Sequence, residues 1–132
     1  MRYNLVVNLF VQRALCGLPL NLHGGGHNKR PMVCITDMAR AILHVSNGLK
    51  TGVHERQVYH VVERSYSIRE IAEIVLSVVG DTGSTIEVTD GDQPFASYSL
   101  NSQKLIDTGF RFRWDLKAGV AEMASRLYAL RG

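Results

Sequence analysis

The sequence predicts a helix-rich α/β fold for a small domain built around a short parallel β-α-β unit, and three observations predict it. Val58-Tyr59-His60-Val61-Val62 is β-branched and aromatic with few charges, the profile of a buried parallel strand. Thr85-Ile86-Glu87-Val88-Thr89 alternates apolar and polar residues, the pattern of a second strand. Between them Ser67 and Glu70 form the signature of a capping box ahead of the apolar positions Ile68, Ile71, Ala72 and Val75, with Gly80 closing the helix. Two strands joined through a helix are expected to run parallel.

The remaining elements fall around that unit. Tyr3, Val7, Phe10, Val11, Ala14 and Leu18 recur at three- and four-residue steps and predict a helix over 3–16, stopped by Gly17 and Pro19. Leu20-Asn21-Leu22-His23 alternates as a strand, and Gly24-Gly25-Gly26 permits a turn that side chains would forbid. Residues 32–35 read as a buried extended piece. Thr36 or Asp37 is placed to cap a helix carrying Met38, Ala41, Ile42 and Val45, which ends at Asn47-Gly48. Residues 49–56 and 90–99 read as polar loops. Helices over 101–108 and 115–130 finish the chain, the last with Leu116, Val120, Met123 and Leu127 on one face.

A chain of 132 residues, 45% hydrophobic and 20% charged, is expected to form one domain with a real core. Its net charge of +3 is scattered, with no run of basic residues; this favours anionic ligands and gives no footprint for nucleic acid. No apolar stretch approaches the roughly 18 residues of a membrane span, so no membrane partner is expected and the cytoplasm is the expected compartment. Cys16 and Cys34 lack disulfide or zinc spacing and read as reduced core thiols. The five histidines fall at no spacing that gathers metal ligands on one face, and no metal site is expected.

The chemistry concentrates in residues 20–41. A strand enters a glycine turn, then a guanidinium at Arg30, an extended segment and a helix. Glycines let a ligand approach the backbone, and the Arg30 fork matches phosphate oxygens. This block resembles the C-terminal lobe signature of the extended short-chain dehydrogenase/reductase family, the sugar-nucleotide epimerases and dehydratases. The match runs through Gly24, Gly26, Arg30, Val33, Ile35, Asp37, Ala39 and Ala41. Upstream, residues 5–20 are similar to the family helix before the signature. Downstream, Val58-Tyr59-His60-Val61, Ser67-Ile68-Arg69-Glu70-Ile71-Ala72, Lys104-Leu105 with Thr108-Gly109-Phe110, and Leu116-Lys117-Ala118-Gly119-Val120 resemble later family segments in the right order.

The resemblance implies a substrate-binding lobe that takes a nucleotide sugar. It places Arg30 on the diphosphate, His23 beside the nucleobase, Gly24 at the turn where a ligand approaches the backbone, Asn8 at the helix facing the diphosphate, and Asp92 in a loop near the nucleoside. The sequence departs from the family in residues 89–97, which hold no arginine or lysine where a second phosphate ligand usually lies. It also lacks the glycine-rich dinucleotide loop of a Rossmann unit and any Tyr-x-x-x-Lys pair. The chain is therefore expected to hold no cofactor and no catalytic residue itself, NAD or NADP belonging to a full-length parent. It reads as a truncated lobe or, alternatively, as a stand-alone binding or interaction module. A lobe without its partner domain exposes apolar surface around 32–35 and Phe10, so self-association as a dimer is expected.

Overall fold

The computed structural model describes residues 5–52, 56–89 and 97–129. Helix α1 (Val6–Leu15) buries Phe10, Val11, Ala14 and Leu15, one stripe of its surface. It ends where Gly17 takes φ +68°. The Leu18 N–H reaches the Arg13 carbonyl and the Gly17 N–H reaches Ala14, the paired bonds that satisfy a helix C-terminus. A Cβ at Gly17 would sit 2.8 Å from the Thr82 carbonyl oxygen, so glycine is required both by conformation and by space.

Strand β1 (Leu20–His23) alternates as its sequence predicts, with Leu20 and Leu22 fully buried and Asn21 and His23 outward. The Gly24–Gly26 turn keeps positive φ at all three glycines and leads into β2 (Lys29–Met32). Helix α2 spans Ile35–Leu49. Strand β3 (Arg64–Ser67) runs directly into α3 (Ile68–Val79), followed by β4 (Ile86–Thr89), the short α4 (Gln103–Ile106) and α5 (Leu116–Ala129).

The fold is mixed α/β with a parallel pair, as the sequence predicts, but the predicted strand at 86–89 takes Leu20–His23 as its partner instead of residues 58–62. β1 pairs parallel with β4, Leu20 facing Ile86 and His23 facing Thr89. β2 pairs antiparallel with β3, Arg30 facing Tyr66. Residues 58–62 make no strand. Val58 is 78% exposed, and the buried Val62 backbone bonds the Ser102 hydroxyl in both directions, at 2.6 Å from its N–H and 2.9 Å to its carbonyl. One side chain thus meets a backbone demand that a neighbouring strand would otherwise meet. The β propensity of Val58 and Val61 is real but finds no ladder among the described residues.

Helices α1, α3 and α5 pack together against the β1/β4 pair around Val11, Leu20, Leu22, Ile71, Val75 and Val120. A smaller cluster of Ala41, Leu105 and Phe110 joins α2 to the segment after α4. The capping box at α3 forms as predicted: Ser67 Oγ accepts the Glu70 N–H at 3.1 Å, and Glu70 Oε2 accepts the Ser67 N–H at 2.7 Å.

Three local expectations are corrected. Residues 32–35 are not a buried strand: Met32 ends β2, Cys34 is half-buried, and Ile35 is 78% exposed as the first residue of α2. Neither Thr36 nor Asp37 caps α2. Its N-cap is Cys34, and Asp37 turns inward from the first turn to become fully buried. Nor is Cys16 a core thiol; it is exposed at the end of α1, where the helix stripe has already turned away from the core.

Candidate ligand cleft

Three of the residues singled out by sequence line one open cleft of about 1340 Å3: Asn8 from α1, His23 from the end of β1 and Arg30 from β2. Gly24 sits at the adjoining turn and is not among the described lining residues. Asp92 lies outside the described residues.

The chain geometry explains why these three converge. His23 is the last residue of β1 and points outward by strand alternation, with its Nδ1 2.9 Å from Thr89 Oγ1 on the paired strand. Arg30 is half-buried on β2, and its Nη1 donates to the Lys29 carbonyl at 2.8 Å. Its guanidinium lies 5.2 Å from the centroid of the Tyr98 ring, within cation–π range. Tyr98 is held there by its neighbours: Ser97 Oγ accepts the Lys29 N–H at 3.0 Å, and the Leu100 N–H bonds Ser65 Oγ at 3.3 Å. Segment 97–100 is thereby tied to β2 and β3.

The floor and far wall are apolar, from Met32, Val33, Ile68, Leu116 and Met123. Trp114 forms part of the rim. Its position follows from Asp37, whose Oδ2 accepts the backbone N–H groups of Arg113 and Trp114 at 2.9 Å each, while Oδ1 pairs with Arg40. Burial alone would raise the Asp37 pKa. The two backbone N–H groups and the Arg40 guanidinium outweigh it, and the pKa lies below the ordinary carboxylate value.

The carboxylates around the cleft are already engaged. Glu63 Oε2 accepts the Tyr66 hydroxyl at 2.7 Å, Asp115 Oδ1 accepts the Ala118 N–H at 2.8 Å, and Glu122 pairs with Arg126. Burial first, and then the bond to Glu63, push the Tyr66 phenol above its usual pKa, so this tyrosine stays neutral. The cleft offers a guanidinium, aromatic faces and an apolar floor. That set is suited to an anion joined to a flat, partly apolar group.

Sequence reasoning missed Tyr98 and Trp114 as cleft residues. Tyr98 lies in a loop with no periodic signal, and Trp114 reaches the rim through a bond to Asp37 some 77 positions away in sequence. The glycine turn Gly24–Gly26 opens onto β2 rather than onto a helix N-terminus. Among the described residues no group of three or more His, Cys, Asp or Glu could hold a metal ion, and no helix is long and apolar enough to cross a membrane.

No protein-family model matches the chain. It is 32% identical over 120 residues to a dTDP-glucose 4,6-dehydratase of Actinoplanes sp., a match that takes in 89% of this chain and 36% of that protein. It is 31% identical over 90 residues to a UDP-sulfoquinovose synthase of Sulfolobus acidocaldarius, over 67% of this chain and 22% of that protein. The chain thus spans about a third or less of the length of these curated relatives. Its fold is similar to part of the UDP-glucose 4-epimerase of Thermotoga maritima solved with UDP-glucose, with TM-score 0.77 and 17% identity over 96% of this chain and 40% of that one. It is likewise similar to the dTDP-glucose 4,6-dehydratase of Bacillus anthracis in complex with NAD, with TM-score 0.72 and 22% identity over 96% and 40%.

Proposed function

We propose, on the premise that this chain matches the C-terminal lobe of the extended short-chain dehydrogenase/reductase family in sequence and fold, that it is a nucleotide-sugar-binding lobe without catalytic machinery of its own. The single observation that supports this most is the convergence of Asn8, His23 and Arg30 on one cleft with Tyr98 beneath the guanidinium. In this reading Arg30 binds the diphosphate, while Tyr98 and His23 offer flat faces to the base. Gly24 leaves room for the backbone to approach the ligand, and Asp92 contributes from its loop. The curated relatives act on, or make, sugars carried by dTDP or UDP, so a pyrimidine nucleotide sugar is the ligand to test first.

The cleft is larger than the roughly 300–1,000 Å3 usual for a small-molecule site. That surplus fits a groove meant to be closed by a second body, and the exposed Leu5, Leu9 and Ile35 near its edge fit the same idea. In a longer parent the second body would be the dinucleotide-binding domain, which would supply NAD or NADP and the acid/base tyrosine. For this chain by itself a second copy is the simplest cover, giving a dimer in the cytoplasm. The test is a thermal-shift screen of UDP- and dTDP-sugars against NAD, NADH, NADP and NADPH, since a ligand that binds only the folded state raises stability by mass action. Stabilisation by nucleotide sugars and none by dinucleotides supports this reading; saturable dinucleotide binding at micromolar concentration would overturn it.

A further inference from the structure

Away from the cleft, the segment after α4 reads Phe110-Arg111-Phe112-Arg113-Trp114, and its burial alternates with it. Phe110 is buried, Phe112 and Trp114 are partly buried, and Arg111 and Arg113 are exposed. In an extended segment such alternation sends the two arginines to one side. Arg40 and His44 stand one helical turn apart on α2 and face the same concavity. These four residues, with Leu43, Gly109 and Phe110, enclose a second cavity of about 410 Å3.

Its electrostatics are one-sided. Among the described residues three guanidiniums line it and no carboxylate does. Asp37 lies fully buried beneath Arg40 and spends both oxygens on Arg40 and on the backbone of residues 113 and 114. Two of the guanidiniums are anchored through a single nitrogen. Arg40 uses Nη1 for Asp37 and for the Arg111 carbonyl, with its plane 5.3 Å from the Phe110 centroid. Arg111 uses Nη1 for the carbonyls of Ile106 and Phe110 at 2.9 and 2.7 Å. The Arg113 side chain makes no hydrogen bond or ion pair among the described residues, although its backbone is pinned by Asp37. Thr108 Oγ1 donates to the Leu105 carbonyl, so it accepts from His44 Nε2 at 2.8 Å, and the ring is fixed. The result is a set of pre-oriented donors with one uncommitted guanidinium at the opening, in a space sized for a small anion.

We infer that this concavity of Arg40, Arg111, Arg113 and His44 is an anion site that takes a diphosphate group, free or carried by a nucleoside, separate from the cleft of Arg30. Guanidiniums whose planes are already fixed lose little entropy on binding, and a diphosphate offers enough oxygens to engage all three.

The test is calorimetric titration at low ionic strength with inorganic pyrophosphate, and with UDP side by side, on the wild-type chain and on three variants. Arg30→Gln removes the diphosphate ligand of the cleft, and saturable pyrophosphate binding at the second site is expected to persist in it. Added to Arg30→Gln, Arg113→Gln is expected to weaken pyrophosphate at least about tenfold, since tenfold corresponds to roughly 1.4 kcal/mol. Arg113→Glu is expected to abolish it, and neither Arg113 variant should alter the melting temperature of the free protein. In the Arg30→Gln background, pyrophosphate and UDP should bind with similar affinity. Loss of pyrophosphate binding in Arg30→Gln, or undiminished binding when Arg113→Gln is added to it, would overturn the inference, as would an absence of saturable binding to the wild-type chain.

Discussion

The Arg30 guanidinium lies 5.2 Å from the centroid of the Tyr98 ring, and the two reach one another from β2 and from a loop almost seventy residues later. At that distance the pair is within cation–π range, and the tyrosine adds an aromatic face beside the guanidinium. Tyr98 is 51% exposed, so it contributes little to the core. Tyr98→Ala should therefore weaken nucleotide-sugar binding by about 1 kcal/mol, close to fivefold, with little change in melting temperature. Unchanged affinity in calorimetry would remove Tyr98 from the site.

Asp37 is the clamp between α2 and the residues that separate the cleft from the second cavity. Asp37→Asn keeps an acceptor but loses the charge that Arg40 and two backbone N–H groups were arranged to meet, and should destabilise the chain by about 2–4 kcal/mol. The sign of its pH dependence follows from the lowered pKa. The stabilisation is fully present above the unfolded value of about 4 and is lost as pH falls from there through the folded pKa. Denaturant melts from pH 7 to pH 2 should show an acid limb in the wild type that is shallower in Asp37→Asn. Parallel limbs would show that other carboxylates govern acid unfolding.

Glu70 has its pKa lowered first by the Ser67 backbone N–H, then by the Ser67 hydroxyl and nearby cations against the opposing effect of burial, a local signature of the formed capping box. Ser67→Ala should cost about 1 kcal/mol, or roughly 4 °C in melting temperature, without changing ligand affinity. A shift under about 1 °C would mean that water replaces the cap without loss.

These elements differ in how far the sequence disclosed them. The strand at Leu20–His23, the Ser67–Glu70 box and the helix after Ser67 were legible because each is written in adjacent residues: alternation, a cap and a 3.6-residue period. What could not be read depends on partners far along the chain. Residues 58–62 have the propensity of a strand, yet Val62 is satisfied by Ser102 and no strand lies beside it among the described residues. Asp37 has the position of a helix cap, yet the backbone of Arg113 and Trp114 captures it. In the site, Asn8, His23 and Arg30 were legible through family resemblance, whereas Tyr98 and Trp114 arrive by tertiary bonds that no spacing encodes.

Ile35 is 78% exposed, and Leu5 and Leu9 add apolar surface at the same cleft. If a second copy covers this face, light scattering coupled to size exclusion should give a mass near twice the 14.7 kDa of one chain, and Ile35→Lys should shift it toward that of a single chain. A mass of 14.7 kDa held across a wide concentration range would refute the dimer.

The central claim is that the cleft binds a nucleotide sugar through Arg30, and calorimetric titration of UDP-glucose and dTDP-glucose into the wild-type chain and Arg30→Ala tests it most directly. Removing the arginine that the sequence offers at the diphosphate position should weaken binding by about 1.5–3 kcal/mol, tenfold or more. Equal affinity for the two proteins, or no saturable binding of either nucleotide sugar to the wild-type chain, would contradict it.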